Sequence, residues 1–73
     1  MMTLRVLVKK CGGQAKVAAA ARMHLSAICH MLAGRRALGL HSATRIARAT
    51  GTRVALRGQR CVFTGRPRLR GNP

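Results

Sequence analysis

The chain has 73 residues, with 15 Lys plus Arg and no Asp or Glu, and so carries a formal charge of +15 at neutral pH. That length allows one domain with a thin core, made thinner by a single Phe and the lack of Tyr and Trp. Without carboxylates there are no side-chain ion pairs to acids, no carboxylate-type metal sites and no acid to orient a catalytic His, so an enzyme is not expected and a polyanionic partner is.

Thr3 is placed to cap a first helix from Leu4 to about Lys10, whose Leu4, Leu7 and Val8 share a face. Lys9 and Lys10 in its last turn suit the helix dipole, and Cys11-Gly12-Gly13 breaks it. A second helix, about Gln14 to Ala21, is nearly all Ala, with Val17, Ala18 and Ala21 as its apolar stripe. A third, about Leu25 to Ala33, puts Ile28, Met31 and Leu32 on one face and is stopped by Gly34. The loop from Arg35 to Gly39 leads to a fourth helix, about Leu40 to Thr50, with Ala43, Ile46, Ala47 and Thr50 inward and Gly51 at its end.

Beyond Gly51 the pattern changes. Val54-Ala55-Leu56 and Cys61-Val62-Phe63 flank Gly58-Gln59, which suits a hairpin, a short helix or a tail folded over the core; periodicity does not decide. Thr64 to Pro73 is rich in Gly, Pro and Arg and is expected to be disordered. The expected fold class is all-α, a small bundle of four to five helices. Its expected parts are a domain over residues 1–53, an undecided element over 54–63 that offers a dimer contact, and a basic tail over 64–73.

Cys11, Cys29 and Cys61 are odd in number and form no C-x-x-C, which points to free thiols in a reducing cytoplasm. Zinc held by Cys11, His24, Cys29 and His30 would need two adjacent residues of one helix to share a metal, so no metal and no cofactor are expected. No run approaches the ~18 apolar residues of a membrane span, and neither a membrane nor a small-molecule substrate is an expected partner. The acid-free start of the chain also has the composition of an organelle transit peptide, which keeps a cationic targeting or membrane-active peptide as a rival reading.

The second and third helices carry the functional pattern. With Gln14 as the first position of a two-helix unit, Val17, Ala18, Ala21, Met23, Ile28 and Met31 fall where such a corner must be apolar, and Ala18 where it must also be small. That is the sequence grammar of a helix-turn-helix, whose helices cross at roughly 90–120°. The outward residues of the third helix are then Leu25, Ser26, Cys29, His30 and Ala33, the side chains that a helix in the major groove presents to base edges.

These pieces, TLRVLVKKCGGQAKVA, LSAICHMLAGRRAL and ATRIARATG, resemble the Cro/C1-type helix-turn-helix family of phage and bacterial regulators. The likeness is greatest to short Cro-like, YdaS-type regulators and antitoxins, and it covers roughly two-thirds of the chain. The resemblance implies a lambda-repressor-like fold and a double-stranded DNA partner. It implies base-reading roles for Leu25, Ser26, Cys29 and His30, and phosphate-binding roles for Gln14, Lys16, Arg35 and Arg36. The family's ninth position, usually a left-handed Gly, is Arg22 here, where a side chain costs about 1–2 kcal/mol. The residue before the third helix, His24, is a poor cap.

Gly65-Arg66-Pro67-Arg68 resembles the core of an AT-hook, which lies in a narrow minor groove. Arg66, Arg68 and Arg70 are therefore expected tail contacts to DNA, with Arg57 and Arg60 adding salt-dependent affinity. The expected function is a DNA-binding transcriptional regulator acting as a homodimer. The antitoxin half of a toxin–antitoxin pair, its tail wrapping a toxin protein, is the alternative.

Overall fold

The side chain of Thr3 accepts the N–H of Val6 at 3.4 Å and starts α1, Leu4–Lys10. The computed structural model describes residues 1–58 and 60–69. α1 is followed by α2, Gln14–Ala21, α3, Leu25–Leu32, and α4, Leu40–Thr50, and then by two strands, β1, Arg53–Arg57, and β2, Arg60–Thr64. The four helices fall where the apolar spacing and the breaks predict; α3 ends one residue early, with Ala33 as its cap.

The expected stripes meet in one core: Leu4, Leu7 and Val8 from α1, Val17, Ala18 and Ala21 from α2, Ile28 and Met31 from α3 with Leu32 only partly buried, and Ala43, Ile46 and Ala47 from α4, which Ala49 joins beyond expectation. α2 and α4 are in close contact, and small side chains, Ala18 and Ala21 on α2 and Ala43 and Ala47 on α4, are prominent among their buried residues. Burial of a Leu or Ile in such a core contributes about 1.5–3 kcal/mol each, which matters in a domain with so few large residues.

The fold is predominantly helical but not all-α. The fifth element is an antiparallel hairpin, with Val54 opposite Phe63 and Arg57 opposite Arg60. Gly58 takes φ 64° at its turn, the left-handed conformation that two-residue hairpin loops demand. What drives pairing is Phe63, the single aromatic residue, which is fully buried against the helices. Its N–H and C=O bond the C=O and N–H of Met2 at 2.8 and 2.7 Å, so the start of the chain lies along β2. The core therefore runs past Arg53 and takes in the hairpin.

Thr64, placed in the tail by composition, closes β2. The stretch after it is held too: the N–H of Arg68 donates to the C=O of Thr50 at 2.6 Å, and Leu69 packs on the core. An apolar residue within reach of the core and an unpaired carbonyl at the end of α4 outweigh the Gly-, Pro- and Arg-rich composition there. Thr50 organises this junction. It is fully buried, donates to the C=O of Ile46 at 2.8 Å and pairs with the Thr52 hydroxyl at 2.9 Å. No described helix is long and apolar enough to cross a membrane.

Candidate nucleic-acid interface

Four helix ends in this chain use the same device, an i−5 main-chain bond closing over a left-handed residue. Gly13 donates to Val8, Met23 to Ala18, Arg35 to His30 and Thr52 to Ala47. The left-handed residue is Gly at 12, 34 and 51, with φ between 68° and 93°, but at the end of α2 it is Arg22, φ 56° and ψ 47°. Arg22 thus holds the strained conformation that the sequence pattern predicts. The turn gains an external support from α4: Arg45 Nη2 donates to the carbonyl of Arg22 at 2.9 Å.

The turn sets α3 against α2 so that Ala27, Ile28 and Met31 face inward and Leu25, Ser26, Cys29, His30 and Ala33 lie exposed. Leu25 is 47% exposed. His24 makes no side-chain cap bond to α3, as its residue type predicts. At the other end of α3 a second arginine intervenes: Arg5 Nη2, from α1, donates to the C=O of Leu32 at 3.1 Å. Arg5 and Arg45 are the residues that sequence reasoning missed. In a chain with so many basic residues, nothing in their spacing separates a guanidinium that binds a carbonyl from one that is solvated.

Gln14 and Cys29 come together. The thiol of Cys29 donates to Gln14 Oε1 at 2.7 Å, joining the first residue of α2 to the outer face of α3. The N-cap of α2, Gly13, offers no side-chain acceptor, so the first N–H groups of α2 remain open to an anion. Lys16, exposed in that first turn, runs its aliphatic stem over Gly12. Beside them is an open cleft of about 530 Å³, whose lining includes Arg5, Lys9, Gln14, Ala15, Leu25 and Leu32. Arg35 and Arg36 follow directly, both exposed, their N–H groups bonded to the C=O of His30 at 2.9 and 3.2 Å.

The candidate residues are thus exposed and linked through α3: Gln14 through Cys29, and Arg35 and Arg36 through the carbonyl of His30. Chemically, Ser26 and His30 can donate or accept hydrogen bonds, Leu25 offers an apolar contact, and Cys29 is a weak donor already engaged by Gln14. Of the tail residues, Arg66 and Arg68 have exposed side chains, though the main chain of Arg68 is tied to Thr50. Arg70 lies outside the described residues. Cys11, the C-cap of α1, is buried, and burial pushes its thiol pKa up. Among the described residues no group of three or more His and Cys gathers as a metal site would.

Comparison with protein-family models, with curated proteins and with solved structures finds no match for this chain.

Proposed function

We propose that this protein is a double-stranded-DNA-binding regulator whose α2–turn–α3 pair is a helix-turn-helix of the lambda-repressor-like kind. α3 enters the major groove. Leu25, Ser26 and His30 meet base edges, with Leu25 suited to a thymine methyl. Gln14, the open amides of α2 and Lys16 take a phosphate on one side of the groove, and Arg35 and Arg36 each take one on the other.

The observation that carries this reading is the division of α3. Its inner residues are sealed in the core while every outer residue is exposed, in a chain with no acid to repel phosphate. A chain at +15 also repels its own copies, so we place the second copy on the DNA, with half-sites one turn or about 34 Å apart. The hairpin supplies an edge for that contact. Because Phe63 spends its main-chain groups on Met2, Val54 opposite it turns its own N–H and C=O away from β2, and Leu56 follows by alternation at 62% exposure.

Fluorescence anisotropy against duplex DNA over a salt series tests the reading. Binding should weaken steeply with salt, with a slope of about −5 in log–log form if ~6 phosphates are neutralised. No binding at low salt overturns the proposal. Equal affinity for random DNA and for the DNA upstream of its own reading frame leaves binding standing and removes specific regulation.

A further inference from the structure

The register of the hairpin separates its two faces. Val54 and Phe63 pair on the side that packs against the helices, with Leu56 and Cys61 next along the same face. The opposite face then carries Arg53, Ala55 and Arg57 from β1 and Arg60, Val62 and Thr64 from β2. All three arginines are exposed, while Ala55 and Val62 between them are short and half-buried. The guanidiniums are thus the tallest groups on that face.

Two further facts mark this face as unfinished. Arg57 and Arg60 stand directly opposite each other, a like-charge pair that destabilises an antiparallel ladder, and the chain has no acid to relieve it. The guanidiniums of Arg5 and Arg45 each bind a main-chain carbonyl, whereas those of Arg53, Arg57 and Arg60 make no hydrogen bond among the described residues. A local cost kept without an internal compensation points to an external anion. The hairpin also adjoins the end of α3: Arg60 and Val62 line a cleft of about 670 Å³ together with Arg5, Leu32 and Gly34, immediately before Arg35 and Arg36.

We propose that the Arg53–Arg57–Arg60 face of the hairpin is a second DNA contact, a wing that grips the sugar-phosphate backbone beside the groove entered by α3. It rests on the DNA-binding reading above and adds a site outside the α2–turn–α3 pair. The partner is one continuous duplex, long enough to pass from α3 across the Arg35–Arg36 loop to the wing. Each guanidinium takes a phosphate through a charge-assisted bond, and the Arg57–Arg60 repulsion is relieved on binding.

The test is the salt dependence of binding to one duplex by four forms of the full chain. These are the wild type, R53Q/R57Q/R60Q, the charge-keeping R53K/R57K/R60K, and K10Q/R48Q, which removes two exposed cations from α1 and α4. The first triple variant should lower the magnitude of the log–log slope by roughly 2 to 3 and weaken binding by roughly a hundredfold at 0.1 M salt. The lysine variant should restore most of the slope. The α1/α4 variant should leave it nearly unchanged. A circular-dichroism melt confirms that each variant folds. If the wild type binds steeply and R53Q/R57Q/R60Q titrates like it, the wing is wrong while the functional reading stands. If K10Q/R48Q lowers the slope as much per charge removed, the hairpin is only part of a general field and the wing is again wrong. If the wild type shows no salt-dependent binding, the DNA reading fails and the wing with it.

Discussion

The thiol of Cys29 on α3 donates to Oε1 of Gln14, the first residue of α2, across 2.7 Å. This bond fixes the start of α2, where we propose that a phosphate binds, relative to the face of α3 proposed to meet bases. It also leaves the Gln14 amide nitrogen as the end of that side chain available to an anion. Cys29 is the exposed thiol of the three, Cys61 is half-buried and Cys11 is buried. Iodoacetamide should therefore modify Cys29 first, and the added group should cut DNA affinity by roughly tenfold or more, the scale of a lost base-edge contact. Bound DNA should protect Cys29. C29S, which keeps a donor for Gln14, should bind nearly as wild type. Equal labelling of Cys29 with and without DNA, followed by mass spectrometry, would remove α3 from the groove.

Cys11 makes stability depend on pH at the alkaline end. Burial raises its pKa above the ordinary thiol value of 9.0. Below that value the thiol is protonated in folded and unfolded chains alike, and its contribution is intact. As pH rises past 9.0 the unfolded chain loses its proton first, so the folded state is progressively disfavoured until the buried thiol titrates as well. The measurement is therefore the difference in urea midpoint between wild type and C11A from pH 8 to 10.5. Wild type should lose its advantage as pH rises; a constant gap would mean that Cys11 titrates alike in both states.

The left-handed turn at Arg22 gives a stabilising substitution. Gly serves the same position at the ends of α1, α3 and α4. R22G should raise stability by about 1 kcal/mol, the strain removed less the added freedom of the unfolded chain. R45A should act oppositely, by about 0.5–1.5 kcal/mol, because it strips the Arg22 carbonyl of its guanidinium donor. Thermal melts of both variants and of the double variant test this. R22G less stable than wild type would show that the Arg22 side chain contributes more than its backbone costs.

These two arginines also show where the sequence stopped being legible. The helices were readable because a 3.6-residue apolar period and a Gly at three of the four ends point the same way, and Arg22 was readable because it stands where that rule expects Gly. Arg45 and Arg5 were not, since their partners are carbonyls distant in sequence and main-chain acceptors leave no residue-type signature. The hairpin was legible only as one of three options. Each of its apolar runs is three residues long, too short to show a period, and the residue that decides the matter, Phe63, is defined by what it packs on. Of the candidate surface, the exposed face of α3 followed from the helix period, whereas the grouping of Arg53, Arg57 and Arg60 required the register.

Phe63 tests whether the hairpin belongs to the folding unit. It is the largest fully buried side chain, and it joins β2 to the helices and to Met2. F63A removes its burial and leaves a cavity, at a cost of about 3–5 kcal/mol. A domain of this size has about 5 kcal/mol or somewhat more in total, so F63A should be largely unfolded near 37 °C. F63L should retain most of the fold. A cooperative melt of F63A close to that of wild type would mean that the hairpin only rests on the bundle.

The last prediction separates base contacts from phosphate contacts. Arg35 and Arg36 lie beyond α3, exposed, on main chain anchored at His30. R35A/R36A should weaken binding to every duplex alike and reduce the magnitude of the salt slope by roughly 2, because phosphates carry no sequence. H30A should leave the salt slope nearly unchanged and alter the ranking of duplexes, by about 1–3 kcal/mol at the base pair it meets. His30 is well placed for this, with a ring that can donate and accept from an exposed position on α3. Competition titrations against a randomised duplex pool read both effects at once. If H30A lowers all affinities equally, His30 is a phosphate contact, and base reading falls to Leu25 and Ser26. Leu25 can contact a thymine methyl and Ser26 bonds to several bases, so such a protein would discriminate weakly and depend on its arginines for affinity.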